Sequence, residues 1–173
     1  ALYIAGGENN TVSNGLVSNY GQAIFTIANH TSITNVTINT TNTGLTDNGG
    51  TTITNAVFNN TYLALLLTGS GSVLENVSIY NSPFDSGLEA TVAIVSNNTV
   101  ASIAVYNSSR DAVWLGGVNN SISISAIDVN GTAINLVEAV NNSIYLVSLS
   151  NNVLDINITD NANATYGNVF NGS

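Results

Sequence analysis

The sequence predicts an all-β fold: a single parallel β-helix (solenoid) of about eight coils, each of roughly 20–22 residues. Between residues 97 and 142 the phrase Asn-Asn-Ser/Thr-Val/Ile occurs at Asn97, Asn119 and Asn141, and the two intervals between these copies are equal. A fixed period of roughly 20 residues is typical of solenoids. No segment has the 3.6-residue apolar period of a long helix. Together, the period and the missing helical pattern favour stacked coils of short strands.

Short apolar phrases mark the successive coils. They begin at Val12, Ile33, Ile53, Leu74, Val100, Ile122 and Ile144, so the differences in residue number are 21, 20, 21, 26, 22 and 22. The longest step contains the only proline, Pro83, and we interpret it as a loop insertion at about residues 82–90. Because the coils account for nearly all of residues 1–173, we predict one domain without a linker.

The segment from Ile33 to Asn39 serves as a template for one coil. Ile33 is expected to point inwards and Thr34 outwards, Asn35 turns the chain, and Val36 and Ile38 then alternate inwards as a strand requires. A second strand follows each corner. The predicted core is an aliphatic stack of Ile33, Val36, Ile38, Ile53, Val77, Ile79, Ile103, Val105, Ile134, Leu136, Ile156 and Ile158.

The position of Trp114 in the second strand is open. It lies one coil period before Leu136, which places it in or near the core. Val113 and Leu115 compete for the same inward register, and the sequence does not choose between the two alternatives.

One corner of four successive coils carries asparagine, at Asn14, Asn35, Asn55 and Asn76. Asparagine tolerates the left-handed backbone that a sharp bend needs. Stacked coils lie about 4.8 Å apart, so these amides are expected to bond one another in a ladder. We expect this ladder to be buried, and a buried ladder amide cannot carry a glycan.

The coil length, the Asn corner column and the Ile-x-Asn-Val-x-Ile phrase at residues 33–38 resemble the right-handed parallel β-helix superfamily of pectate lyases and polygalacturonases. The resemblance implies the architecture, and fold alone does not imply function. Members often cap the first coil with an amphipathic helix. Residues 1–7 of this chain indicate a strand and a turn instead.

The resemblance also implies what a catalytic member would need. Lyases of this shape use an Arg or Lys base with Ca²⁺ on clustered Asp, and hydrolases use paired carboxylates. Here Arg110-Asp111 is the only basic–acidic neighbour pair, and we interpret it as a surface contact at a corner. Asp47, Asp85 and Asp111 are assigned to loops, and His30 to a turn. Glu138 and Asp160 are one coil period apart and could stack, although the simpler interpretation is that one of the two carboxylates faces solvent. We therefore predict no enzyme activity, metal or cofactor.

The charge balance excludes several partners. Charged residues make up 6% of the chain, with one Arg, no Lys and a net charge of −9. Nucleic acids and anionic membranes require basic side chains, so neither is expected as a partner. No apolar run approaches the roughly 18 residues of a membrane-spanning helix. The chain begins at Ala1 without Met, which we interpret as a processed N-terminus, and a fragment of a longer chain is equally compatible with it.

Export is indicated by the N-glycosylation sequons. The chain has fourteen Asn-x-Ser/Thr sequences, about twice the chance number for its composition. N-linked glycans are therefore expected, with an extracellular or cell-surface location. The candidate sites are Asn9, Asn29, Asn39, Asn59, Asn97, Asn107, Asn119, Asn130, Asn141, Asn157, Asn163 and Asn171, with Asn35 and Asn76 less favoured because they belong to the corner column.

Three functions remain open. The first is a structural subunit that pairs with copies of itself, end to end, in a surface filament. It is suggested by residues 1–5 and 166–170, which are apolar and β-prone and do not resemble caps. The second is a carbohydrate-binding or adhesive module for surface carbohydrate, suggested by Thr-rich stretches such as residues 40–43. A binding face would need Thr-x-Thr at one position of successive coils, and the sequence does not repeat it. A polysaccharide-degrading enzyme is the least favoured hypothesis.

Overall fold

The chain forms a parallel β-solenoid of about seven turns, one fewer than predicted. The computed structural model describes residues 2–83, 90–159 and 167–172. Within these ranges sixteen strands belong to one sheet, every pairing is parallel, and there is no helix. The strands are β1 (Leu2–Ile4), β2 (Thr11–Ser18), β3 (Gln22–Thr26), β4 (Ser32–Asp47), β5 (Thr52–Thr54), β6 (Val57–Leu67), β7 (Val73–Glu75), β8 (Val77–Ser82), β9 (Ala90–Ile94), β10 (Thr99–Ser108), β11 (Asp111–Val118), β12 (Ser121–Ile127), β13 (Thr132–Val140), β14 (Ser143–Ser150), β15 (Leu154–Thr159) and β16 (Val169–Gly172).

Each turn passes through three faces, which we call A, B and C, and each face is defined by one stacked column. The face A column is Val12, Ile33, Ile53, Leu74, Val100, Ile122, Ile144 and Phe170. The face B column is Val17, Ile38, Phe58, Ile79, Val105, Ala126 and Leu149. The face C column is Leu2, Ile24, Leu45, Leu65, Val92, Val113, Ile134 and Ile156.

The face A column confirms the coil starts predicted from the apolar phrases and adds Phe170 at its end. The step from Ile144 to Phe170 is as long as the step from Leu74 to Val100. Of the predicted insertion at residues 82–90, Ser82 ends β8 and Ala90 begins β9. Residues 84–89 lie outside the described residues.

The three inward columns form one apolar core, and ten of the twelve predicted core residues are buried in it. The prediction is wrong for the last coil. Ile156 is partly buried, and Ile158 is 55% exposed. Both lie on β15, which pairs only with β13 among the described strands, so the side chains lack a covering coil on one side. An inward register therefore buries a side chain only where coils lie on both sides of it.

The structure decides the position of Trp114, which the sequence left open, in favour of the alternative register. Val113 pairs with Ile134 and Leu115 with Leu136, so these two residues point inwards and Trp114 points outwards. The register shifts between Leu115 and Gly117, which makes the coil step at Val113 one residue shorter than the period of the repeated phrase. The Trp114 ring folds back over Gly116, where a Cβ atom would overlap it.

Candidate functional site

The corner between faces C and A, which we call the amide corner, occurs eight times along the solenoid, each time as a residue with a left-handed backbone followed by a polar residue. The eight pairs are Asn9-Asn10, His30-Thr31, Gly50-Thr51, Gly71-Ser72, Asn97-Asn98, Asn119-Asn120, Asn141-Asn142 and Gly167-Asn168. The first residue of every pair has a positive φ, between 53° and 81°. This confirms the turn assigned to His30 and explains why the repeated sequence phrase begins with two asparagines.

The second residues of the last four pairs form the inner amide ladder: Asn98, Asn120, Asn142 and Asn168. The first three side chains are at most 2% exposed. The backbone N–H of Asn98 donates to Asn120 Oδ1 at 2.9 Å, and that of Asn120 donates to Asn142 Oδ1 at 2.8 Å. Asn142 Nδ2 donates to Asn168 Oδ1 at 2.8 Å and to the Gly117 carbonyl at 3.1 Å. The ladder therefore satisfies backbone groups that the turn removes from the sheet.

The first residues of three of these pairs, Asn97, Asn119 and Asn141, are the sequon asparagines, and all three are exposed. The bond from Asn119 Nδ2 to Asn97 Oδ1 is long, at 3.4 Å. The structure assigns the buried ladder to the following asparagine, so the sequon amide lies on the solvent side.

The predicted corner column is confirmed as an outer amide ladder of Asn14, Asn35, Asn55 and Asn76. Each has φ between 54° and 56°, and each later Nδ2 donates to the Oδ1 one coil earlier at 2.7–3.2 Å. All four side chains are exposed, so solvent reaches them, contrary to the buried ladder that the sequence suggested. The amide nitrogens of Asn35 and Asn76 are nevertheless occupied as donors.

Sequence reasoning missed a second outer ladder, formed by Asn39, Asn59, Asn81 and Asn107. Its three bonds run from each Nδ2 to the previous Oδ1, at 2.8–3.1 Å. The unequal intervals between its members concealed it, because no single period connects them. It occupies the donor groups of Asn59 and Asn107, two candidate glycosylation sites.

The remaining sequons differ in accessibility. Asn9, Asn29, Asn130 and Asn171 are exposed. Asn157 is half-buried on β15, where its Nδ2 donates to Asn135 Oδ1 at 3.2 Å. Asn163 lies outside the described residues. Which of these asparagines carry glycans stays a prediction.

The interpretation of Arg110-Asp111 as a surface contact is wrong for Arg110, which is 5% exposed. Its Nη2 donates to the Pro83 carbonyl at 2.6 Å, at the start of the predicted insertion. The Asp111 carboxylate accepts from the Thr132 backbone N–H at 2.6 Å and from Asn135 Nδ2 at 2.9 Å. The hydrogen bonds of both residues therefore link neighbouring coils.

The assignment of Asp47 to a loop is also wrong, because Asp47 ends β4 and is fully buried. Its carboxylate accepts from the backbone N–H of Gly49 at 3.1 Å, from Thr51 Oγ1 at 2.6 Å and from Ser72 Oγ. Asp47, Thr51 and Ser72 thus supply polar contacts at coils of the amide corner that lack asparagine. Asp111 begins β11 rather than lying in a loop.

The other ionisable groups are scattered. Glu75 and Asp155 are exposed on separate strands, while Asp85 and Asp160 lie outside the described residues. No cluster of three or more His, Asp or Glu side chains that could hold a metal ion occurs within the described ranges. These ranges also contain no helix with the length and apolarity that a membrane crossing requires.

The outer surface of face A carries paired hydroxyl groups, a recurrence the sequence analysis missed because serine and threonine alternate. Thr11, Ser32 and Thr52 stack in one column, and Ser13, Thr34 and Thr54 stack in a parallel column. The pattern stops at Val73 and Glu75 and returns at Ser121 and Ser123.

Both ends of the solenoid present strand edges. Among the described strands, β1 and β2 at one end each have one partner, and so do β15 and β16 at the other. Large apolar side chains are exposed beside these edges: Leu2, Tyr3 and Leu16 at the first end, and Val153, Leu154, Ile158 and Val169 at the second.

Comparison with protein-family models, with curated proteins and with solved structures found no match to this chain.

Proposed function

We propose that the protein is an extracellular structural subunit, N-glycosylated, that assembles end to end with copies of itself into a surface filament. The observation that carries this proposal is the pair of solenoid ends, each with unpaired backbone edges next to exposed apolar side chains. Two different ends meet in such a contact, so it propagates into a fibre instead of closing into a dimer.

The distribution of charge supports the same proposal. Proteins commonly block a strand edge with lysine, proline or a covering element. This chain has no lysine, its one arginine is buried in the middle of the chain, and Pro83 is far from either end. The described edge strands carry one charged side chain, Asp155 on β15. Little electrostatic repulsion therefore opposes contact between the two ends.

Glycosylation fits this assembly. The exposed sequon residues Asn97, Asn119 and Asn141 lie on a corner along the flank. Asn97 and Asn119 are at least two coils from the last corner pair, Gly167-Asn168, and Asn141 is one coil from it. Glycans at Asn97 and Asn119 would leave the ends accessible and would hinder lateral association. Adjacent coils are about 4.8 Å apart, so crowding between glycans limits how many of the three are occupied.

The architecture and the stacked Asn corners support placing the chain among the right-handed parallel β-helix proteins that resemble pectate lyases, as a non-catalytic member. The scattered carboxylates and the buried Arg110 support the absence of a lyase or hydrolase site. A polysaccharide-degrading activity stays the least supported hypothesis.

Sedimentation and electron microscopy of the glycosylated chain test the filament. We expect fibres whose subunits have a mass above the 17.8 kDa of the bare polypeptide. Deleting residues 1–5, which include β1, should leave a folded β protein that no longer forms fibres, with the intact chain as the matched control. A monomer at high concentration would rule out the filament. A subunit mass equal to that of the bare polypeptide would rule out the glycoprotein.

A carbohydrate-binding module is the second candidate, supported by the hydroxyl columns on the outer surface of face A. The three stacked pairs form a polar surface with rungs about 4.8 Å apart. Retention on insoluble polysaccharides tests this hypothesis. Loss of retention in a Thr34→Val, Thr54→Val variant would favour it, and equal retention of this variant and the intact chain would count against it.

A further inference from the structure

We propose that successive copies stack in register, so that the columns of faces A and C and the amide corner continue from one subunit into the next, with Asn168 of one copy beside Asn10 of the following copy. This inference rests on the proposed end-to-end assembly and specifies its contact. It follows from the residues that occupy the same column at the two ends.

On face C, the last strand of one copy would meet the first strand of the next. The column that contains Leu2 ends at Ile156, and the column that contains Ile4 ends at Ile158. Stacking in register therefore places Leu2 beside Ile156 and Ile4 beside Ile158. Ile158 is 55% exposed and Leu2 38% exposed in the single chain, so the contact removes apolar surface from water.

On face A, the column from Val12 to Phe170 continues in the same way. Phe170 is half-buried and packs against the core, and Val12 does the same at the other end. The outward neighbours Thr11 and Val169 also share one column. A single stacking distance between copies therefore aligns the apolar side chains of one copy with those of the next on both face A and face C.

The amide corner gives the most specific match. Its polar column reads Asn10, Thr31, Thr51, Ser72, Asn98, Asn120, Asn142 and Asn168, so both ends carry asparagine although the three coils after Asn10 do not. Within the ladder, each backbone N–H donates to the amide oxygen of the next coil. Asn10 of the following copy occupies the place of that acceptor for Asn168.

The contacts of Asn10 in the single chain are weak. Its Nδ2 donates to the carbonyls of Gly6 and Gly7 at 3.3 and 3.4 Å. In the ladder, Asn142 and Asn168 donate to the carbonyls of Gly117 and Ala139, three positions before the ladder asparagine of the preceding coil. Asn10 is therefore suited to exchange local bonds for an interchain ladder.

Face B sets a limit on the contact. The described chain ends on face A at Gly172 and contributes no strand to face B after Ser150. Leu146 already pairs with Gly172. With faces A and C in register, residues 148–150 and residues 16–18 of the next copy are therefore separated by one strand position. The joint consists of two directly paired faces and the amide corner.

Engineered cysteines test the register, because the natural chain has none. Thr11→Cys and Val169→Cys are made in separate preparations, mixed and oxidised. The proposed register brings the two Cα atoms to about 5 Å, within the range of about 4.4–6.8 Å that a disulfide requires. We expect a disulfide-linked dimer, and a chain carrying both substitutions should give a series of covalent oligomers.

Two control pairs make the result decisive. Ser121→Cys and Ser143→Cys are register partners in one chain and should form an internal disulfide, which reports correct folding. Ser13→Cys with Val169→Cys is offset by two positions along the strand, at about 8 Å, and should not cross-link. Fibres that link through Ser13, or through neither pair, would overturn the register while leaving the filament intact. Failure of the intact chain to assemble would overturn both proposals.

Substitution of Asn10 tests the amide contact separately. Asn10→Ala keeps the sequon at Asn9, and we expect it to raise the concentration at which fibres form by about tenfold. Asn55→Gly, in a coil away from the ends, is the matched control and should leave that concentration unchanged. An unchanged value for Asn10→Ala would remove Asn10 from the joint.

Discussion

The inner amide ladder and the outer amide ladder use the same side chain on successive coils, but they bond different groups. In the inner ladder, Asn98 and Asn120 are buried, and both Nδ2 groups donate to backbone carbonyls. Asn120 Nδ2 also donates to the Asn142 amide oxygen. In the outer ladder, Asn35 and Asn55 are exposed, and their bonds join amide to amide. The inner ladder therefore substitutes for missing sheet bonds, whereas the outer ladder only links exposed side chains of successive turns.

This difference predicts unequal costs of substitution, because solvent can replace an amide in the outer ladder but cannot reach the inner one. An unsatisfied buried polar group costs about 1–3 kcal/mol, and a typical exposed hydrogen bond contributes about 0.5–1.5 kcal/mol. We therefore expect the largest effects in the inner ladder and the adjacent core, and smaller ones in the outer ladder.

Replacing Asn120 by Leu should destabilise the fold by about 3–5 kcal/mol, because the Asn98 backbone N–H and the Val95 carbonyl both lose a buried partner. Chemical denaturation monitored by circular dichroism measures the free energy of unfolding. A cost below about 1 kcal/mol would show that the inner ladder has no special role.

Replacing Ile122 by Ala tests the apolar core directly beside the inner ladder. Ile122 is 1% exposed, so we expect a loss of about 2–5 kcal/mol from the lost burial and the cavity. Ile158→Ala is the matched control at an exposed position of the last coil, with an expected change below about 0.5 kcal/mol in a single chain. Equal costs at the two positions would contradict the burial along the columns.

Replacing Asn55 by Gly removes one side chain of the outer ladder while keeping the left-handed backbone available. It deletes the bonds to Asn35 and Asn76, both on the solvent side. We expect a loss of about 0.5–1.5 kcal/mol in the same denaturation assay. A loss as large as that of Asn120→Leu would mean that the two ladders are equivalent.

We expect glycan occupancy to differ between sequons outside the outer ladder and sequons within it. This difference should have the smallest effect on the free energy of unfolding. Site-resolved mass spectrometry should find higher occupancy at the exposed Asn97, Asn130 and Asn141 than at Asn35 and Asn76, whose amide nitrogens donate within the outer ladder. Preferential occupancy of Asn35 and Asn76 would show that folded-state bonding does not influence the modification.

Much of the fold followed from local chemistry. Thirteen of the seventeen described non-glycine residues with positive φ are asparagine. The coil starts from Val12 to Ile144 could also be predicted from local sequence, because each begins a short apolar phrase at a fixed distance after a bend. These are properties of neighbouring residues, so they appear in the sequence as periodicity.

The orientation of Trp114 and the burial of Asp47 could not be found in this way. The inward position of Val113 depends on a register shift between β11 and β13, and the Trp114 ring needs the space above Gly116. Asp47 is stabilised by Ser72, one coil away. The second outer ladder could not be predicted either, because it depends on how coils of unequal length stack.

The sequence by itself determined the solenoid, its bends and the aliphatic columns, because a bend and an alternating strand are encoded within a few consecutive residues. The tertiary structure alone decided which of two adjacent asparagines is buried, which inward positions are covered, and which residues share a column at the two ends. Those outcomes depend on contacts between coils, where a change of one residue in coil length moves every following side chain to a different neighbour.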